Sequence, residues 1–223
     1  PAIAAIFPNR QSECVMLDLG ANVEADAHNL IQFCVLGEVF ARYVLGRVHT
    51  KPSVGLLNVG TEDVKGHDAV RQAAALLREL DLPIRFHGFV EGDDIANGTV
   101  DVIVTDGFTG NIALKTIEGT VRLYSDFLRK AFTSSVAARI GYVLARRGLR
   151  RLKARVDPRR YNGAVFLGLN GIVVKSHGGT DAFGFANAIG VAVDLAQQGY
   201  NEKITQELTL FGTDKLPKTR LAT

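Results

Sequence analysis

Apolar residues fall along this chain in two rhythms. Short runs place them at consecutive positions: Ala2–Phe7, Cys14–Leu17, Ser53–Leu57, Ile84–Phe89, Val100–Thr105, Ala164–Leu169 and Ile172–Lys175. Such runs suit strands covered on both faces. Longer stretches repeat them at helical spacing: Asp26–Leu45, His67–Leu80, Asn111–Ala131, Ser135–Arg147, Leu149–Val156, Ala182–Gln198 and Glu202–Leu210. Alternation of the two predicts an α/β fold with a mostly parallel sheet flanked by helices. Residues 1–212 read as one α/β domain, and 213–223, with Pro217 and few large apolar residues, as a loose tail. The helix Asp26–Leu45 is apolar on most sides, which predicts burial in the core or at a subunit contact.

Composition narrows the classes. An apolar fraction of 47% and a charged fraction of 22% are those of a globular domain. The two cysteines, Cys14 and Cys34, form no metal-ligand spacing and read as buried, reduced thiols, which suits a reducing compartment. No apolar stretch reaches membrane-spanning length. No two glycines stand two apart, so the dinucleotide loop Gly-x-Gly-x-x-Gly cannot occur, and no phosphate loop Gly-x4-Gly-Lys is present. No cofactor is expected and no metal site: Glu91, Asp93 and Asp94 read as a solvated acidic loop.

Three Gly-rich loops follow predicted strands and open predicted helices. The first is Asn58-Val59-Gly60-Thr61-Glu62-Asp63-Val64-Lys65-Gly66, the second Asp106-Gly107-Phe108-Thr109-Gly110-Asn111, and the third Ser176-His177-Gly178-Gly179-Thr180-Asp181. Glycines let backbone N–H groups approach an anion, and a helix N-terminus favours negative charge. The same residues also make ordinary helix caps, since Thr61, Asp106, Thr109, Thr180 and Asp181 all suit that position. Three such loops at strand ends together favour an oxyanion site.

At these loops the chain becomes recognisable. VMLDLGANVEA (15–25), LLNVGTEDVKG (56–66), FVEGDDI (89–95), VDVIVTDGFTGNIALKTIEG (100–119) and YNGAVFLGLNGIVVKSHGGTD (161–181) resemble the phosphate acyltransferases of bacterial phospholipid synthesis, the PlsX family, over about residues 1–211. The resemblance implies a homodimer with a fold similar to phosphotransacetylases and isocitrate/isopropylmalate dehydrogenases. It implies a reaction in which acyl-acyl-carrier protein and inorganic phosphate give acyl phosphate and free carrier. It also implies that the family's N-terminal third, with its Gly-Gly-Asp loop, is absent here.

A phosphate attacking a thioester needs positioning and oxyanion donors rather than a covalent relay. Asn111, Lys115 one helical turn on, and His177 are therefore the expected catalytic residues. Asn58, Gly60, Thr61, Lys65, Asp106, Gly107, Thr109, Gly110, Gly178, Gly179, Thr180 and Asp181 are the expected phosphate and substrate contacts, with Asp106 and Asp181 capping helices and orienting donors. Asn22 is a weaker candidate. The alternatives in the same fold group are a phosphotransacetylase using acyl-coenzyme A and, without a dinucleotide loop to support it, a decarboxylating dehydrogenase.

Net charge hides a segregation. Arg139, Arg146, Arg147, Arg150, Arg151, Lys153, Arg155, Arg159 and Arg160 stand against Asp157, which is +8 for that segment; the chain totals +3, which leaves −5 elsewhere. Val136, Ile140, Val143 and Leu144, then Leu149, Leu152 and Val156 after Gly148, predict two basic amphipathic helices joined near Gly148, a hairpin over 134–160. Such helices suit an anionic membrane or the acidic carrier protein, and the residues expected to make the contact are Arg139, Arg146, Arg147, Arg150, Arg151, Lys153 and Arg155. The expected partners are acyl-carrier protein, phosphate, an anionic membrane and a second copy of the chain, with no nucleic acid. The expected location is cytoplasmic, peripheral on the inner face of the membrane. A module that only binds membranes through the hairpin is the non-enzymatic alternative.

Overall fold

The computed structural model describes residues 1–46, 50–80, 82 and 84–211, the last five by backbone alone. Its order is β1 (Ala2–Pro8), β2 (Glu13–Leu17), α1 (Ala27–Val44), β3 (Ser53–Leu57), α2 (Asp68–Glu79), β4 (Arg85–Val90), α3 (Asp94–Asn97), β5 (Val102–Val104), α4 (Gly107–Thr133), α5 (Val136–Arg155), a 3-10 turn (Pro158–Tyr161), β6 (Ala164–Leu167), β7 (Val173–Lys175), α6 (Ala182–Gln197) and α7 (Tyr200–Phe211). The tail expected at 213–223 lies outside the described residues.

One seven-stranded sheet runs β4-β3-β5-β2-β1-β6-β7. It is mixed, not mostly parallel. The pairs β4/β3, β3/β5 and β5/β2 are parallel, whereas β2/β1, β1/β6 and β6/β7 are antiparallel. The chain's spacing explains this. Each parallel step crosses over through a helix, but only four residues separate β1 from β2 and only five separate β6 from β7, too few for anything but a hairpin.

Alternation along the strands feeds two layers. Ala4, Val15, Leu17, Val54, Leu56, Val102, Val104 and Leu167 pack beneath α1, α2 and α7. Ile3, Phe7, Cys14, Met16 and Ile103 face the other side, where Ala113, Leu114 and Ile117 of α4 cover them. Helix α1 is buried on nearly all sides, as its composition predicts, and its burial is met within the chain by Phe40 against Tyr200.

Both thiols lie in these layers. Burial pushes the Cys14 thiol up to about 11 and Cys34 higher still. Below about pH 8 neither ionises in the folded chain, so neither alkylates. Unfolded thiols ionise near pH 8.5, so above that pH the unfolded chain sheds protons the folded one keeps, and stability falls as pH rises toward 11. Iodoacetamide at pH 8 is expected to leave both cysteines unlabelled in native protein and to label both in guanidinium, read by mass spectrometry. Rapid native labelling of either would contradict the packing described.

Candidate functional site

Four parallel strands, β2 to β5, deliver their carboxyl ends to one side of the sheet. The loops there are 18–22, 58–66, 91–93 and the start of α4. In open α/β sheets that rim is where ligands sit.

Helix α4 begins at Gly107, four residues before the expected start at Asn111. Asp106 caps it, accepting from the Thr109 amide at 2.7 Å and the Thr109 hydroxyl at 2.8 Å. The first turn is pressed against the 18–22 loop. Gly107 donates to the Asn22 carbonyl at 2.7 Å. A methyl group on Gly107 would lie 2.9 Å from the Gly20 Cα, and one on Gly110 would overlap the Asp18 carbonyl oxygen. Only glycine permits this approach.

That packing changes what the turn can offer. The amides of Gly107, Thr109 and Gly110 already have acceptors within the protein. The Asn111 side chain does not. Among the described residues its amide has no partner, it is exposed, and it stands about 3.6 Å from where a Cβ on Gly20 would be. Among the described residues it is an uncommitted side-chain amide donor on this rim. Lys115, one turn on, is tied to Glu118 at 2.9 Å, and that carboxylate lies 3.9 Å from Arg122.

In the neighbouring loop Asn58 is a brace. Its amide donates to the carbonyls of Gly60 and Lys65, both at 3.1 Å, and its oxygen lies where a side chain on Gly66, at φ +89°, would go. Lys65 pairs with Glu62 at 2.8 Å; this bond raises the lysine's pKa and lowers the glutamate's. Gly60 and Thr61 lie in the same loop.

The third loop is elsewhere. Strand β7 runs antiparallel to β6, which runs with β2, so Lys175 points to the end of the sheet where β2 begins. Lys175 pairs with Ala164, the first residue of β6. The structure thus brings Asn58, Gly60, Thr61, Lys65, Asp106, Gly107, Thr109, Gly110, Asn111 and Lys115 to one rim. It carries His177, Gly178, Gly179, Thr180 and Asp181 to the opposite one. There the His177 amide donates to the Asn162 Oδ1 at 2.9 Å, and the Gly179 amide donates to the His177 Nδ1 at 3.1 Å. Asp181 caps α6 through Gly184 and holds Arg159 at 2.8 Å, and both keep its carboxyl below the usual range. Arg159 also grips Asp157, so it braces the base of α5. A cleft of about 520 Å3, lined by Ala5, Glu13, Phe40, Arg155, Arg160 and Tyr161, opens beneath that base, away from Asn111.

The basic segment is an arm. Helices α4 and α5 meet at Ser134–Ser135, where Ser135 caps α5 through the Ala138 amide at 3.1 Å. Helix α5 runs unbroken through Gly148, so the expected joint there is absent. One interior glycine costs about 1 kcal/mol, less than the surrounding Leu, Ala and Arg recover. No residue of α5 is buried. Its inner face meets α4, with Tyr142 edge-on to Phe132 at 5.7 Å. The stripe Val136, Ile140, Val143 and Leu144 faces solvent, with Leu144 82% exposed, and continues along the same face into Arg147 and Arg151. The segregation therefore runs along the helix, apolar toward the tip and cationic toward the base, rather than only around it. Arg139, Arg146, Arg147, Arg150, Arg151 and Lys153 are exposed and make no ion pair among the described residues; Arg155 donates to the Asn9 carbonyl at 2.9 Å.

The profile of the family described as "Fatty acid synthesis protein" matches residues 1–203. The chain belongs to that family. Its relatives in the fatty acid synthesis protein family include a phosphate acyltransferase of Paramagnetospirillum magneticum, 62% identical over 222 residues, which are all but one residue of this chain and 63% of that protein. Phosphate acyltransferases of Rhodospirillum rubrum and Rhodospirillum centenum are 62% and 64% identical over 208 residues, 93% of this chain and 59% and 58% of theirs. The chain thus spans about three-fifths of the length of these relatives. A solved EutD phosphotransacetylase from Staphylococcus aureus covers 53% of this chain and 41% of its own, at a TM-score of 0.41 and 18% identity.

One residue of this rim carried no expectation from sequence: Asp18, wholly buried at the end of β2. The signal available was LDLGAN itself, an acid at a strand's carboxyl end followed by Gly and Asn.

No described helix is long and apolar enough to cross a membrane, and no described cluster of three His, Cys, Asp or Glu residues could hold a metal ion.

Proposed function

We propose that this chain carries the phosphate-handling rim of a phosphate acyltransferase that converts acyl-acyl-carrier protein and inorganic phosphate to acyl phosphate and free carrier. The observation that carries the reading is the uncommitted Asn111 amide at the mouth of four parallel strands, in a chain whose relatives bear that name. Asn111 donates to a phosphate oxygen or to the oxyanion, and the α4 N-terminus adds its dipole. A second phosphate oxygen attacks the thioester carbonyl carbon, a C–O bond forms, and the tetrahedral intermediate expels the thiolate as the C–S bond breaks. A thiol ionises near pH 8.5, so the sulfur departs without a strong acid. The motif resemblance supports the phosphotransacetylase/dehydrogenase type of fold.

The exposed arm supports peripheral attachment to the inner face of the cytoplasmic membrane, with apolar tip residues at the interface and arginines at headgroup level. Leu123, Tyr124, Phe127 and Leu128 of α4, all exposed, support a second copy as a further partner.

The test is the release of free thiol, measured with a chromogenic disulfide, from acyl-carrier protein by the full-length protein, with and without phosphate. Release that depends on phosphate is expected. The same rate with acyl-coenzyme A would move the substrate class to coenzyme A, and no release from either would refute the reading.

A further inference from the structure

We propose that Asp18 is a positioning residue for the reaction, fixing where the Asn111 amide stands. This rests on the reading that the start of α4 holds the phosphate. Asp18 is 0% exposed, yet it makes no ion pair among the described residues; backbone amides surround it instead. Its Oδ1 accepts from Ile3 at 2.9 Å, Gly20 at 3.2 Å and Ala21 at 3.0 Å. Its Oδ2 accepts from the Asn22 amide at 2.7 Å and the Asn22 side chain at 2.8 Å. A buried carboxylate is tolerated only when so satisfied, so the 18–22 loop is wound round the charge rather than left to choose its shape.

The winding is transmitted by contact. Asn22 turns its carbonyl to the Gly107 amide, and its side chain also donates to the Pro1 carbonyl at 2.7 Å. Gly107 and Gly110 then close on the loop with no room for a side chain between. The first turn of α4 is seated on the loop, and Asn111 follows one residue later beside Gly20. Asp18 never needs to touch substrate. It sets the spacing between the β2 loop and the helix that presents the donor.

Asp18→Asn keeps the volume but turns an acceptor into a donor facing the Asn22 N–H, which opens the loop. In the purified protein, with the phosphate-dependent thiol assay above, it is expected to lower kcat about 100-fold, the scale of a misplacement near 1 Å. KM for the acyl-carrier substrate should stay within about twofold. The deciding measurement is a double-mutant cycle with Asn111→Ala. If Asp18 acts through Asn111, the double variant is about as slow as the slower single one, a strongly sub-additive result. If the two losses multiply, Asp18 does not act through Asn111 and the proposal fails while the functional reading stands. If Asp18→Asn does not fold, judged by circular dichroism, Asn22→Ala takes its place in the cycle with the same two outcomes. A wild-type protein that releases no thiol overturns the functional reading and, with it, this one.

Discussion

Exchanging Arg146, Arg147, Arg150 and Arg151 for Glu is expected to abolish binding to anionic vesicles while leaving the fold intact. Each cation near an anionic leaflet contributes about 1 kcal/mol, so losing four weakens binding about 1,000-fold before the repulsion of four new carboxylates is added. The fold is spared because these side chains are exposed and make no ion pair among the described residues. Co-sedimentation with vesicles rich in phosphatidylglycerol, against purely zwitterionic ones, measures it; far-ultraviolet circular dichroism checks the fold. Undiminished binding to anionic vesicles would remove the arm as the anchor. Raising salt should mimic the substitution in part, since exposed charges are screened over about 8 Å at physiological ionic strength.

The second large effect is expected from Gly110→Ala. On most helices this exchange stabilises by about 1 kcal/mol. Here the new methyl overlaps the carbonyl oxygen of Asp18, backbone held at the end of a central strand, and lies 3.0 Å from a Thr105 methyl. Neither neighbour is the free end of a flexible side chain. Overpacking of this kind costs roughly 1–3 kcal/mol, so the melting temperature of a domain this size should fall by about 3–10 °C instead of rising. Phosphate-dependent turnover of the folded fraction should fall as well, because the displaced turn carries Asn111. Thermal melting by circular dichroism decides the matter. A variant more stable than the parent would mean that α4 does not sit on the loop as described.

Most of the fold was legible because the signals were local. Every predicted strand from Ala2–Phe7 to Ile172–Lys175 has its counterpart; the one-turn helix α3, where an acidic loop was expected, has none, and the predicted helices agree to within a few residues except at two places. Both exceptions are glycines read as breaks. Gly107 and Gly110 belong to the first turn of α4, where their role is close approach to the 18–22 loop. Gly148 lies inside α5, where helix formers on either side outweigh it. Sheet direction was not local. The short links that turn β1 into β2 and β6 into β7 are turn-length gaps in the sequence, but which way each strand then runs depends on its partners across the sheet: the loop after β7 faces away from the loops after β3 and β5. For the same reason the candidate site was half legible. Asn111 stands out in sequence by its Gly-rich neighbourhood and in structure by its free amide. Asp18 leaves only a faint trace in the sequence, an acid at a strand's end before Gly and Asn, and residue type alone does not show that five donors converge on it.

Helix α4 is one rod of 27 residues, about 40 Å, that begins at the rim bearing Asn111 and ends where the arm turns. In the proposed function, chemistry and anchorage are therefore joined by a fixed ruler rather than a tether. With the tip seated on a surface, the height of Asn111 above that surface is set by counting residues, and each turn added to or removed from α4 and matched in α5 would change it by about 5.4 Å.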